Sequence, residues 1–286
     1  MFSNRYSVVF PLSDRFAYRD PAAYIKDGTV YLFFSLVENA PDGQFFYLAE
    51  STSTDFVNWT KPVILSPRDL DINISSPGNV IFHDGYYYLS VQTYPRPNGE
   101  KYGNEKSRVF TMKSKDLMNW EEPVMLMVKG DIPVEQMGRM IDPYILEDDG
   151  TFYCFYKQNG VSFSTSKDLI NWEFKGNTAC GENVCVLKEN DEFYIIHSPK
   201  NGIGLLKTKD LKEFTDCGVT YLGQEEWPWA KDRITAGFVY DLTGTGYGHR
   251  YCMFFHGDDF DSHFFDASLA VVFFDQLDEL WPDIRK

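Results

Sequence analysis

The chain is patterned in short apolar runs and not in helical stripes. Val30-Tyr31-Leu32-Phe33-Phe34 and Tyr86-Tyr87-Tyr88-Leu89 each begin within two residues of an Asp-Gly pair, and similar runs recur along the sequence. Aromatic and β-branched residues favour the pleated, half-buried surface of a strand, while Asp-Gly suits the positive-φ positions of a tight hairpin. The pattern predicts an all-β chain built from hairpins. They read Asp27-Gly28-Thr29-Val30-Tyr31, Asp84-Gly85-Tyr86-Tyr87-Tyr88, Asp149-Gly150-Thr151-Phe152-Tyr153 and Asn190-Asp191-Glu192-Phe193-Tyr194. A weaker fifth runs from Gly248-His249-Arg250-Tyr251 into Cys252-Met253-Phe254-Phe255.

A second unit alternates with the hairpins. Ser53-Thr54-Asp55-Phe56-Val57-Asn58-Trp59, Ser114-Lys115-Asp116-Leu117-Met118-Asn119-Trp120 and Ser166-Lys167-Asp168-Leu169-Ile170-Asn171-Trp172 match closely. Thr208-Lys209-Asp210-Leu211-Lys212-Glu213-Phe214 is a degraded copy, and Asp275-Gln276-Leu277-Asp278-Glu279-Leu280-Trp281-Pro282 a candidate fifth. Five cycles in 286 residues give about 57 residues each, a little above the ~40–50 residues of a four-stranded propeller blade. Residues 95–107 and 224–233 read as the loops that carry the excess. One amphipathic meander cannot bury both of its faces, so five should stack radially. The expected architecture is a five-bladed β-propeller, one domain over residues 1–286. In it the Trp of each second unit fills the gap between blades, and Arg5 to Phe10 pairs with the last blade to close the ring.

The innermost strands of such a ring all run in one direction, so their first residues meet on one face. Counting back from the hairpins places these starts at Asp20-Pro21, Pro77-Gly78, Asp142-Pro143, Glu182-Asn183 and Thr235-Ala236-Gly237. Carboxylates thus fall at equivalent points in blades one, three and four. A carboxylate facing a low-dielectric funnel is costly unless it is paired or used. Asp142 and Glu182 belong to neighbouring blades; two close carboxylates resist ionising together, which makes Glu182 a candidate proton donor and Asp142 its tuner. Asp20 lies across the funnel, with room between for a sugar and a water. That is how a glycosidase arranges general base and general acid.

Composition narrows the partners. With 42 acidic and 27 basic side chains the net charge is −15, which disfavours nucleic acid and anionic membrane surfaces, both of which need clustered Lys and Arg. No apolar run nears the ~20 residues of a membrane span. The N-terminus has no signal-peptide pattern, so a cytoplasmic location is expected, or secretion if a leader has been removed. Five cysteines without paired spacing read as reduced, mostly buried thiols. The sequons at Asn58 and Asn73 matter only in a secreted eukaryotic protein.

Arg19-Asp20-Pro21, Ile141-Asp142-Pro143 and Gly181-Glu182-Asn183, set on five repeats with Asp-Gly hairpins, resemble glycoside hydrolase family 43. Its members are five-bladed propellers, mostly β-xylosidases, α-L-arabinofuranosidases and arabinanases. The resemblance spans essentially the whole chain. It implies Asp20 as general base, Asp142 as pKa modulator and orienter, and Glu182 as general acid, with inversion at the anomeric carbon. Three departures stand out. Glu182 is followed by Asn183-Val184 where the family usually has Gly-Pro. Blade two begins Ser75-Ser76-Pro77 in place of Trp-Ala-Pro. Ile234-Thr235-Ala236-Gly237 lacks the His that many members place near a central calcium. No cofactor is expected, and that missing His counts against a central-channel calcium. The related families 32 and 68 place acids on the same blades but use the first Asp as nucleophile, with retention.

Further substrate-binding candidates are Ser76 at the start of blade two, Arg139 three residues before Asp142, Arg233 just before the fifth inner strand, Trp229 in the loop Trp227-Pro228-Trp229, and His256 at the end of a second strand. Each has a structural alternative: loop packing for Trp229, ion pairs for the arginines, a satisfied buried ring for His256. Arg19 is expected to point away from Asp20, on the opposite strand face. The run Asp258-Asp259-Phe260-Asp261-Ser262-His263 reads as a solvated acidic loop with cation binding as its alternative. The leading expectation is an inverting glycoside hydrolase acting on plant-type saccharides, β-xylosides or α-L-arabinofuranosides. The alternatives are a retaining fructosidase-like hydrolase and a non-catalytic glycan-binding propeller.

Overall fold

A computed structural model describes residues 6–258 and 263–285. It is all-β, with five antiparallel sheets arranged as the blades of a propeller. The first strand, β1 (Tyr6–Phe10), belongs to the last blade. Blade one is β2 (Phe16–Lys26), β3 (Thr29–Ala40), β4 (Gly43–Ser53) and β5 (Val63–Ile64). In blade two, β6 (Ile74–Ser75) and β7 (Val80–His83) share the innermost track beside β8 (Tyr86–Thr93), β9 (Val109–Ser114) and β10 (Val124–Met125). Blade three is β11 (Ile141–Asp148), β12 (Thr151–Lys157), β13 (Val161–Ser166) and β14 (Trp172–Thr178). Blade four is β15 (Glu182–Glu189), β16 (Glu192–Ser198), β17 (Ile203–Thr208) and β18 (Thr215–Thr220). Blade five comprises β19 (Arg233–Asp241), β20 (Tyr251–Asp258) and β21 (Ala267–Phe274), with β1 as its outer strand.

The predicted turns form as their chemistry requires. Asp27 and Gly28, Asp84 and Gly85, Asp149 and Gly150, and Asn190 and Asp191 all take positive φ, the two-residue turn that matches the twist of paired strands. In the Ser-x-Asp-Leu unit, Asp55 Oδ1 accepts the N–H groups of Val57 and Asn58, and the Ser53 hydroxyl accepts those of Asp55 and Phe56. Asp116 and Asp168 repeat this pattern. These bonds hold Phe56, Leu117, Leu169 and Leu211 in the left-handed region, a conformation such side chains otherwise avoid.

The tryptophans do bridge neighbouring blades. Trp59 packs on Phe254 of blade five and Phe10 of β1, and Trp120 packs edge-on against Phe33 of blade one. Trp172 buries among blade-two residues, and the Trp281 indole N–H donates to the Ile203 carbonyl of blade four. β1 pairs antiparallel with β21, Tyr6 opposite Val272, so blade five is completed from the other end of the chain. Arg5 and residues 259–262 lie outside the described residues. All five cysteines are free thiols, and four are buried.

One buried acid belongs to the frame. Glu50 on β4 is 6% exposed, and burial pushes its carboxyl from 4.5 up to about 7; the Trp120 indole opposes that shift and Asp116 adds to it. At pH 4 the group is protonated whether the chain is folded or not. Between 4.5 and 7 the unfolded chain loses the proton first, so stability falls, and above pH 7 the loss is constant. Glu50→Gln should therefore raise stability by about 2 kcal/mol at pH 8, after allowance for solvent screening. At pH 4 it should change little. Denaturant melts at the two pH values check this, and a gain that does not depend on pH contradicts it.

Candidate active site

Each innermost strand carries an irregularity at its mouth end. Register shifts fall between Arg19 and Ala22, Ile141 and Tyr144, Glu182 and Cys185, and Thr235 and Phe238, while in blade two the track breaks between β6 and β7. At each break one residue is left-handed: Asp20 (φ 50°), Ser76 (43°), Asp142 (54°), Asn183 (50°) and Ala236 (54°). Such bulges re-aim side chains, and Asp and Asn tolerate the conformation best. The true equivalents are therefore Ser76 and Asn183, where counting from the hairpins gave Pro77 and Glu182. Glu182 sits one residue ahead of the fivefold position.

The bulge N–H groups are held from the preceding blade. Ser35 Oγ accepts from Ser76 N at 2.8 Å, Gln92 Oε1 from Asp142 N at 2.6 Å, Ser198 Oγ from Ala236 N at 2.8 Å and His256 Nδ1 from Asp20 N at 3.1 Å. Asn183 N instead donates to the Asp142 carboxylate, at 3.4 Å. A belt of side chains from the second strands thus fixes the residues around the mouth, Asp20 and Asp142 among them.

Above this belt opens a funnel of about 320 Å³. Its floor holds Asp20, Asp142, Glu182 and Asn183, with Ser75, Ser76 and Gln92 beside them. Arg19, Arg139 and Arg233 add positive charge, and Phe46, Tyr94, Tyr102, Phe264 and Phe265 form aromatic walls. Below the floor the channel narrows to about 20 Å³ between Pro21, Pro77, Pro143 and Phe238, room for about one water.

The three acids differ in surroundings. Asp20 Oδ2 accepts hydroxyls from Ser35 and Ser76, each at 2.9 Å, and the Arg19 charge lies close enough to interact with it. Asp142 is 8% exposed; burial first, then the charges of Glu182 and Asp20, raise its pKa well above the usual carboxylate range, against a smaller pull from Arg139. Glu182 is half-buried, the more exposed of the two, and both line the funnel.

The remaining candidates divide. Ser76, Arg139 and Arg233 line the funnel. Arg139 Nε donates to the Gly103 carbonyl at 2.9 Å, and Arg233 Nε pairs with Asp258 at 2.6 Å. His256 does not line it: the ring is fully buried beneath Asp20, and burial, then Arg19 and Arg233, pull its pKa well below the usual value. A neutral ring is what accepting the Asp20 N–H requires, so His256 positions a carboxylate and touches no sugar. Trp229 is also absent from the funnel. It stacks on Trp227 at 5.3 Å and leans on Tyr6 and Phe255, so loop packing accounts for it.

Arg19 corrects a different expectation. It lines the funnel and pairs with Asp258 at 2.8 Å, because the bulge that follows it breaks the alternation that would have turned it away. Of the acidic run, Asp258 is the buried anchor of both Arg19 and Arg233, His263 pairs with Asp266, and 259–262 fall outside the described residues. Among the described residues no three His, Cys, Asp or Glu side chains gather as a metal site needs. The reading from sequence missed Gln92, Tyr94 and the rim aromatics. Gln92 could have been found by looking near the second-strand end of blade two, as was done for His256 in blade five.

The family model described as the glycosyl hydrolases family 32 N-terminal domain matches residues 18–209. A curated relative, a 1,2-beta-oligomannan phosphorylase from a Thermoanaerobacter species, is 27% identical over 173 residues, covering 54% of this chain and 57% of the relative. The match thus spans little more than half of that protein's length. Solved structures share the fold over nearly the whole chain. A family 117 glycoside hydrolase from the marine bacterium Zobellia galactanivorans superposes with a TM-score of 0.71 at 15% identity, covering 93% of this chain and 88% of the other. A family 43 β-xylosidase/α-arabinofuranosidase from a compost microbial metagenome does so with a TM-score of 0.64 at 17% identity, covering 94% of both. The family 43 likeness is accordingly one of fold, and the sequence family is 32. Among the described residues no helix is long and apolar enough to cross a membrane.

Proposed function

The chain belongs to the family of the glycosyl hydrolases family 32 N-terminal domain, and from that premise we propose that it hydrolyses glycosidic bonds at the mouth of the propeller. The observation that carries this reading is the meeting of Asp20, Asp142 and Glu182, from three blades, in one funnel large enough for a sugar. Glu182, the more exposed of the coupled pair, delivers a proton to the leaving oxygen. Asp142, buried beside it and driven toward its neutral form, stores and returns that proton. Asp20, which accepts two hydroxyls and lies near the Arg19 charge, takes the proton of an attacking water. The aromatic walls offer faces on which a sugar ring can stack.

For the substrate we propose a β-xyloside or α-L-arabinofuranoside in plant-type saccharides, cleaved with inversion, in line with the family 43 neighbour of the same fold. The family 32 match favours a second reading, in which Asp20 attacks the anomeric carbon directly and configuration is retained. The two differ in the first anomer released. Proton NMR within the first minutes of turnover on xylo- or arabino-oligosaccharides should show the inverted anomer. The retained anomer would transfer Asp20 to the nucleophile's role. Binding without cleavage across a broad panel of aryl glycosides and oligosaccharides would make the protein a glycan-binding propeller instead.

A further inference from the structure

The funnel's cations are not equivalent. In a chain of net charge −15, three of its ten arginines line this one cavity. Arg19 and Arg233 are both bound to Asp258. Arg139 is not: its Nε is fixed on the Gly103 carbonyl and its Cζ lies 5.8 Å from the centre of the Tyr94 ring, while its two terminal nitrogens have no hydrogen bond or ion pair among the described residues. Asp142, whose pKa burial and the neighbouring acids raise well above the usual carboxylate range, lies close enough to feel its charge. A guanidinium anchored at Nε and unpaired at its outer edge is a ready fork for two oxygens of one anion. The anchor is itself prearranged. A Cβ on Gly103 would come within 2.5 Å of the Tyr94 ring, so only glycine lets the 95–107 loop approach close enough to hold both side chains.

We propose that the funnel binds an oxyanion on Arg139, beside Asp142, so that the ligand taken is a sugar together with a negatively charged oxygen group. The group has two sources of the same chemistry: the carboxylate of a uronic acid residue, or free inorganic phosphate acting as nucleophile in place of water. In the second case cleavage becomes transfer. The bond from the anomeric carbon to the leaving oxygen breaks, a phosphate oxygen bonds to that carbon, and the leaving oxygen takes the proton from the carboxyl pair. The phosphate's own proton restores the pair. A glycosyl phosphate then appears in place of a free reducing sugar, and no water is consumed. The inference deepens the glycosidase reading and rests on it for the sugar, though the anion site stands on Arg139 alone.

Calorimetric titration of the full chain with inorganic phosphate, glucuronate and xylose, each alone, tests it. One of the two anions should bind, and Arg139→Gln should weaken that binding at least about tenfold. Arg139→Lys should keep part of it, as charge survives without the fork, and Gly103→Ala should weaken it through Arg139 without removing any cation. Phosphate binding with glycosyl phosphate among the products assigns the phosphate source; glucuronate binding with faster cleavage of uronate-bearing saccharides assigns the other. Binding of neither anion, or binding that Arg139→Gln leaves intact, overturns the proposal. Cleavage of neutral saccharides without anion binding would sink this inference and spare the glycosidase reading; anion binding without any cleavage would do the reverse.

Discussion

Glu182→Gln and Asp20→Asn should each lower turnover by roughly 10²–10⁴-fold, the range that positioned proton transfer supplies. Both substitutions replace a carboxylate with an amide of nearly the same shape. In the Asp20→Asn variant the amide carbonyl can still accept the hydroxyls of Ser35 and Ser76, so the funnel should keep its form and sugar binding should stay measurable. The two variants should separate by leaving group. An aryl glycoside with an acidic phenol needs little protonation, so Glu182→Gln should recover much of its activity on that substrate while Asp20→Asn should not. Asp142→Asn substitutes one neutral group for another that already favours neutrality, so its principal effect should be a shifted pH profile. Steady-state kinetics across pH on aryl and unactivated glycosides reads all three. Full activity in either of the first two variants removes that residue from the mechanism.

Gly78→Ala should be the most disruptive single-methyl change in the molecule's inner ring. A Cβ at this position would lie 1.4 Å from the Pro143 carbonyl oxygen and 2.7 Å from Ser90 Oγ. Backbone cannot yield as a flexible side chain can, so the inner strands of blades two and three would have to part. Overpacking of this kind costs about 3 kcal/mol, or a fall of roughly 6–12 °C in Tm for a domain of this size. Because Gly78 lies two residues after Ser76 and touches the residue after Asp142, activity should fall as well, even in the fraction that remains folded. Gly85→Ala is the fitting comparison. Nothing lies within 4 Å of its Cβ, and only its positive φ is offended, so about 1 kcal/mol is expected. Equal losses in the two variants would mean that close approach at the channel is not what Gly78 provides.

The chain's periodic features were legible because each is local. Asp-Gly pairs, alternating aromatic runs and the Ser-x-Asp-Leu-x-x-Trp unit settle their own geometry within a few residues, and five copies leave few ways to bury the sheets. The same counting brought Asp20, Asp142 and Glu182 to one mouth, together with Ser76, Arg139 and Arg233. It slipped by one residue in blades two and four, since a bulge inserts a residue that no hairpin announces. It misjudged Trp229, His256 and Arg19 for a related reason. Whether a side chain meets the cavity depends on the bulge and on the neighbouring blade, and neither is encoded beside it in the chain.

The sequence by itself determined the repeat, the strand-and-turn chemistry, the number of blades and the rim on which the acids gather, because short-range sterics and apolar periodicity act over a handful of residues. Only the tertiary structure decided which carboxyl is pressed toward neutrality, that His256 works from beneath Asp20, and that, among the described residues, Arg139 of the funnel's arginines has no acid bound to it. Burial and Coulomb interactions depend on distances between residues far apart in the chain, and those distances exist only once the ring has closed.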